Sequence, residues 1–366
     1  MRIAQIAPLF ESVPPRLYGG TERVVSYLTE ELVAQGHHVT LFASGDSTTS
    51  ADLVSCCNEA LRLNQKVRDP LPYHAVMLHK VRRLTVGFDV LHFHMDQLHF
   101  PAFRPLAART LTTLHGRQDL PDLQVLYSAF PDMPLVSISN AQRGPIAGAN
   151  FVGTVYHGLP SDLLALARRP RGGYFAFLGR ISPEKRVDRA IAIAKAAKIP
   201  LKIAAKVDRV DETYFRQVIA PLLEPPDIEL IGEIDERRKV SFLGEAQALL
   251  FPIDWPEPFG LVMIEAMACG TPVLAFDGGS VAEVVDEGVT GHIVTSMAEA
   301  LAKIGSLLAL DRAAVRRRFE LRFTAARMAK DYVRLYQRAM SQAQLRRQAA
   351  RSDRPGVDGA SASFPL

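Results

Sequence analysis

The chain is 366 residues long, 48% apolar, and carries a formal charge of +4 at pH 7 with histidine neutral. That length exceeds what one hydrophobic core supports, so two domains are expected, and so modest a charge gives no reason to expect nucleic-acid binding. No apolar run approaches the ~20 residues that cross a bilayer, residues 1–8 are interrupted by Pro8 too early for a secretory signal, and Cys56, Cys57 and Cys269 form neither a disulfide framework nor a metal-ligand spacing. A protein of the reducing cytoplasm is expected.

Residues 3–7 read as a first buried strand. Residues 21–35 read as a helix, with apolar Val24, Val25, Leu28 and Leu32 on one face and a stop at Gly36. The loop between them is longer than a usual strand-to-helix connection. It delivers Gly19 and Gly20 to a helix start, where backbone can approach a phosphate or a sugar; the plainer reading is a glycine cap. Further strands are expected at 39–43, 89–93, 111–114, 135–139 and 153–156. Strand, helix, strand repetition gives a doubly wound parallel sheet, whose ligands bind beyond the carboxyl ends of the strands. That rule selects His92, His94, His115 and His157, with structural packing the preferred reading for His92 and His94. Between residues 50 and 83 the signals weaken. Residues 73–84 form a basic amphipathic pattern, compatible either with weak contact to a membrane surface or with a solvated face over a core.

Residues 161–173 contain Arg168, Arg169, Pro170, Arg171, Gly172 and Gly173, helix breakers that mark a linker between a domain of residues 1–160 and a second of 174–322. Residues 174–178 read as strand. Ser182 then reads as a helix N-cap with Pro183 at the first helical position, which puts Arg180 just outside the strand end and Lys185 on the first turn. Two such cations at a helix start suit a diphosphate, arginine by its fork and lysine as a point charge. Strands are expected at 201–205, 228–231, 248–252 and 273–276, and helices at 211–223, 236–246, 281–287 and 297–308. A long helical pattern covers 323–346, and the polar residues 347–366 are expected to be disordered.

The most informative stretch is Trp255-Pro256-Glu257-Pro258-Phe259-Gly260-Leu261-Val262-Met263-Ile264-Glu265. The two prolines fix an extended loop around Glu257, because each locks its own φ and pushes its predecessor out of the helical region. From Gly260 good helix formers follow, until Gly270 and Pro272 stop them, so Glu265 lies about one turn into a helix. The helix start at Phe259, Gly260, Leu261 and Val262 offers free amides and a partial positive charge to an anion. With Glu257 on one side of that anion and Glu265 on the other, one carboxylate can take a sugar hydroxyl while the other takes a ribose. The plainer reading is a buried helix in which Glu265 is a satisfied core carboxylate.

With its flanks Pro258-Phe259-Gly260-Leu261 and Ala268-Cys269-Gly270-Thr271-Pro272-Val273, this stretch resembles the E-x7-E motif of retaining glycosyltransferases of family 4. Gly179-Arg180 with Lys185 resembles a second element of that family, Gly19-Gly20 its first loop, and His115 in Thr113-Leu114-His115-Gly116 the histidine that reaches the transferred sugar. The resemblance spans about residues 1–340. It implies an α/β GT-B fold: two Rossmann-like parallel-sheet domains facing across a cleft, with a C-terminal helix crossing back to the first. It further implies a retaining hexosyltransferase that takes a nucleotide-sugar, most often a UDP-hexose, and hands the sugar to an acceptor by front-face attack. No metal or other cofactor is implied. The implied catalytic residues are Glu257, His115, Arg180 and Lys185. The implied donor-binding residues are Gly19, Gly20, Arg180, Lys185, Phe259, Gly260, Leu261, Val262 and Glu265. One rival is a non-catalytic nucleotide-sugar-binding partner in polysaccharide assembly, which would keep the pocket but lose the two cations. Another, a GT-B phosphorylase or epimerase, wants a pyridoxal-phosphate lysine or a different acid/base set, and neither is seen. Acceptor, sugar, base and oligomeric state are left open.

Overall fold

The computed structural model describes residues 1–352 apart from Leu17, Tyr18, Ala147 and Pro225. The first domain alternates β1 (Arg2–Ile6), α1 (Gly20–Ala34), β2 (His38–Ser44), β3 (Asp52–Cys57), α2 (Leu71–Leu84), β4 (Val90–Phe93), α3 (Phe100–Phe103), β5 (Thr110–Thr113), α4 (Leu123–Ala129), β6 (Leu135–Ser137) and β7 (Phe151–Thr154). Its seven strands are parallel in the order β3-β2-β1-β4-β5-β6-β7. Every residue of β4 and β5 is buried, the condition of a strand covered on both faces. β3 was not expected. It lies on the sheet edge with Asp52, Leu53 and Ser55 exposed, so it carries no continuous apolar run.

The second domain runs β8 (Phe175–Arg180), α5 (Val187–Ala197), β9 (Leu201–Lys206), α6 (Glu212–Tyr214), β10 (Ile228–Gly232), α7 (Glu236–Gly244), β11 (Ala248–Phe251), α8 (Leu261–Ala268), β12 (Val273–Phe276), α9 (Val281–Val284), β13 (Gly291–Val294), α10 (Met297–Leu308) and α11 (Arg312–Arg322). Its sheet order is β10-β9-β8-β11-β12-β13. In both sheets the order reverses beside the first strand, between β1 and β4 and between β8 and β11, which are the topological switch points where such folds open a crevice.

Several local expectations are corrected. β13 and α11 were not foreseen. The helix expected at 211–223 is a run of short turns in which only Glu212–Tyr214 is α-helical, followed by a π-helical turn at Phe215–Ile219. The helix expected at 281–287 stops at Val284. Arg180 is not outside β8 but its last residue. Ser182 and Pro183 do not open a long helix: Pro183–Lys185 is a single 3-10 turn without a side-chain cap, and Arg186, at φ 51, breaks it from α5. The linker is clamped to the second domain, since Ala167 N donates to Cys269 O at 3.0 Å and Ala167 O accepts from Arg312 Nε at 2.5 Å, while the buried Arg312 guanidinium also donates to Ala246 O at 3.0 Å and Thr271 Oγ1 at 2.6 Å.

Chain passes between the domains lie side by side: Leu159 N donates to Phe323 O at 2.9 Å and Ala325 N to Leu159 O at 2.7 Å. At this crossing a Cβ on Gly158 would meet Thr324 O at 2.3 Å, so only glycine lets the two passes touch. The final helix, α12 (Ala325–Ser352), packs on α1 of the first domain and buries Tyr332 and Tyr336 there. It continues past the expected end at 346, because helix formers persist through Ala350 and Arg351. The disorder expected for 347–366 is therefore corrected for 347–352, and 353–366 lie outside the described residues. Among the described residues no helix is long and apolar enough to cross a membrane.

Candidate active site

A cavity of about 730 Å³ opens between the carboxyl ends of the two sheets. Gly19, Gly20 and His115 line it from the first domain; Arg180, Lys185, Glu257, Phe259, Gly260, Leu261, Val262 and Glu265 line it from the second. Residues far apart in the chain thus converge on one cleft.

The glycine loops meet at its centre. Gly260 has φ 77, in the left-handed region, and a Cβ there would lie 2.6 Å from Met263 Cε, so the turn into α8 requires glycine. Gly20 opens α1 directly opposite, where a Cβ would lie 3.6 Å from Leu261 Cδ1. Two helix starts therefore face one another across the cleft, each with amides that have no partner inside the helix. Phe259 is buried and stands edge-on to His157, ring centroids 4.9 Å apart.

The charged groups are paired across the site, most of them between residues distant in the chain. Lys185 forms an ion pair with Glu257, which also accepts from Trp255 Nε1 at 3.0 Å, and the lysine ammonium lies 4.7 Å from the Trp255 ring centroid. Arg180 is held by three carboxylates, Glu184 at 2.6 Å, Asp211 at 3.5 Å and Asp208 at 3.7 Å. Glu265, almost wholly buried, accepts from Lys239 at 2.6 Å, and Lys239 lies 3.6 Å from Glu236. Glu236 in turn pairs with Arg23 of α1, tying one domain to the other. Lys239, Glu236 and Arg23 were missed by sequence reasoning. Their only sequence signal is that they are charged residues near the starts of helices that border the cleft.

On the first-domain wall the histidines selected by the strand-end rule form a group. His94 Nδ1 and His115 Nε2 are 2.9 Å apart, and His115 stacks on His157 with centroids 5.3 Å apart and planes 17° from parallel. His92 and His94 are buried, as the structural reading has them. Burial pushes the His115 imidazole down to about 3 and holds His92, His94 and His157 well below their ordinary range, so all four are neutral. Among the described residues no group of three or more His, Cys, Asp or Glu is placed to hold a metal ion.

Two facing parallel-sheet domains, a cleft at both switch points and a last helix returning to the first domain define the GT-B class of glycosyltransferases. The comparisons with known proteins agree. The family model "Glycosyltransferase Family 4" matches residues 18–209 and "Glycosyl transferases group 1" matches residues 165–321, so the chain belongs to glycosyltransferase family 4. It is 28% identical over 329 residues to a phosphatidyl-myo-inositol mannosyltransferase of Mycobacterium leprae, covering 80% of this chain and 83% of that one. A D-inositol 3-phosphate glycosyltransferase of the same organism is 33% identical over 150 residues, 37% of this chain and 31% of that one. Among solved structures, AviGT4, a glycosyltransferase involved in avilamycin A biosynthesis, superposes with TM-score 0.70 at 24% identity, covering 93% and 98% of the two chains. HepE of Anabaena in complex with UDP and glucose superposes with TM-score 0.68 at 17% identity, covering 92% and 99%. At these identities the two structures share the fold.

Proposed function

We propose that this glycosyltransferase moves a hexose from a nucleoside-diphosphate sugar to an acceptor with retention, without a metal ion. The observation that carries the reading is the convergence of two cations, two carboxylates, a neutral histidine and the start of α8 on one cleft. When the bond from the anomeric carbon to the phosphate oxygen breaks, negative charge grows on the leaving diphosphate. Arg180, Lys185 and the amides at Gly260, Leu261 and Val262 are the fixed positive field for it. The diphosphate would compete with Glu184, Asp208 and Asp211 for Arg180 and with Glu257 for Lys185. Glu257 would then turn to a sugar hydroxyl, Glu265 would accept from the ribose, and His115 would orient the sugar from the opposite wall. The acceptor oxygen attacks on the face from which the diphosphate departs, and a leaving phosphate oxygen takes its proton.

A UDP-hexose is our first reading of the donor; the mannosyltransferase relatives favour GDP-mannose as the second. The acceptor surface lies in the first domain. There α2 leaves Leu71, Tyr73, Val76 and Leu84 exposed beside Lys80, Arg82 and Arg83, a face suited to weak contact with a membrane carrying a lipid acceptor, on a protein working in the cytoplasm. Incubating the pure protein with radiolabelled UDP- and GDP-sugars and following slow hydrolysis tests the donor. Absence of hydrolysis or transfer with every donor, despite tight nucleotide binding, would favour a non-catalytic sugar-nucleotide-binding partner in polysaccharide assembly.

A further inference from the structure

An unbroken chain of polar side chains runs from His115 through the core of the first domain to the last helix. His115 Nε2 lies 2.9 Å from His94 Nδ1, and His94 Nε2 lies 2.7 Å from Gln5 Oε1. Gln5 Nε2 donates to Tyr336 OH at 3.1 Å, and that hydroxyl lies 2.8 Å from His92 Nδ1. His92 Nε2 is 2.7 Å from Thr113 Oγ1, which is 2.9 Å from Tyr332 OH. Gln5, His92, Thr113, Tyr332 and Tyr336 are each 0% exposed and His94 is 2% exposed, so among the described residues these side chains find their hydrogen-bond partners in one another and in His115.

A neutral imidazole donates from one nitrogen and accepts at the other, so each bond in such a chain dictates the next. With the Gln5 carbonyl on His94 and its amide hydrogens on Tyr336, His94 must carry its proton on Nε2 and accept at Nδ1. His115 must then donate from Nε2. Its Nδ1 makes no hydrogen bond among the described residues, while the ring lines the cavity and is partly exposed to it, which leaves Nδ1 as an acceptor facing the ligand. Rotating the Gln5 amide by half a turn would reverse every bond and make Nδ1 a donor.

We propose that Gln5 and Tyr336, acting through His94, are positioning residues that hold His115 in its Nε2–H tautomer, so that Nδ1 receives a hydroxyl hydrogen of the transferred sugar. This rests on the reading of His115 as the group that orients the sugar. Burial keeps the three histidines of the chain neutral, as this polarity requires. It also makes α12, which returns to the first domain, part of the donor site through one phenol.

Long-range proton–nitrogen correlation spectra of the full chain labelled with nitrogen-15 histidine, free of ligand and near neutral pH, read which nitrogen carries each proton. His115 and His94 are both expected to be protonated at Nε2. In Gln5→Leu, and in Tyr336→Phe, which removes a single oxygen, His115 should leave that single state, and kcat should fall about tenfold, the weight of one hydrogen bond, with donor KM little changed. A proton on Nδ1 of His115 in the wild type, or an unaltered Nε2–H tautomer in both variants, overturns the proposal while leaving a loss of activity in His115→Ala intact. Wild-type turnover in His115→Ala would instead sink the sugar-orienting reading, and this inference with it.

Discussion

Lys239 Nζ lies 2.6 Å from Glu265 Oε1, so the carboxylate assigned to the ribose already holds a cation of its own domain. A ribose hydroxyl must donate to the oxygens that this pairing leaves. Replacing Glu265 by Gln removes the charge that serves both partners, and UDP should bind more weakly by about 1 to 2 kcal/mol, the scale of a hydrogen bond to a charged group. Glu257→Gln should lower turnover without weakening UDP binding, because its proposed contact is with the sugar and loss of its charge only releases Lys185 to the diphosphate. Calorimetric titration of UDP into both variants separates the two assignments. The reverse pattern would exchange them, and normal binding in both would remove Glu265 from the ribose.

Lys185 and Glu257 are partners, so substitutions at the two positions should not act independently. Lys185→Ala or Arg180→Ala is expected to lower turnover by about two to four powers of ten, as when a charge partner of a transition state is lost. Lys185→Ala also leaves Glu257 with Trp255 as its remaining hydrogen-bond donor. The double variant Lys185→Ala with Glu257→Gln should therefore cost less than the two single losses added in free energy. Full activity in both Lys185→Ala and Arg180→Ala would remove the diphosphate assignment.

Activity should survive excess EDTA, since the positive field proposed for the diphosphate comes from side chains and a helix start. Loss of turnover on chelation, restored by Mg²⁺ or Mn²⁺, would overturn the metal-free mechanism.

The fold should weaken in mild acid. His99 and His115 are pushed down to about 3 by burial, and His92, His94 and His157 are held well below their ordinary 6.5. Below pH 6.5 the unfolded chain takes up protons at these positions and the folded chain does not. The stability they permit is therefore complete above that value and is lost as pH falls, by up to about 1.4 kcal/mol per pH unit for each histidine. Glu11, Glu22 and Asp96 are raised by burial and act in the opposite sense, since the folded state protonates them first. The histidines outnumber them, so urea midpoints should drop between pH 7 and pH 5. A constant or rising midpoint would show that the buried imidazoles accept protons in the folded state.

The architecture was legible because parallel strands buried on both faces read as apolar runs, and because prolines and glycines punctuate the loops that carry the ligand groups. Val90–Phe93 and Val273–Phe276 are of this kind, and the bend at Gly260 is written in the residue itself. Asp52–Cys57 escaped because an edge strand need not be apolar, and Gly291–Val294 because it is short and opens on glycine. The turn after Ser182 departs from the expected helix start, since nothing in its composition announces the left-handed Arg186 that ends it. The distant partners of the site charges were not legible. Arg23 meets Glu236 only once both sheets are built, Lys185 meets Glu257 only once the second is, and neither pairing leaves a periodicity.

The crossing at Gly158, Leu159 and Thr324 bears on how the two halves can move. Both covalent connections between the domains pass through that one place and are hydrogen-bonded to each other. Torsion angles changed there swing one sheet relative to the other as a rigid body, as in a hinge, without breaking a strand pairing in either. Beyond that crossing the domains are tied by Glu283, which accepts from Asn140 N and Ala141 N at 2.7 Å, and by Arg23 on Glu236, whose neighbour Lys239 also holds Glu265. A ligand that claims Glu265 thus pulls on the same ionic relay that keeps the jaws together.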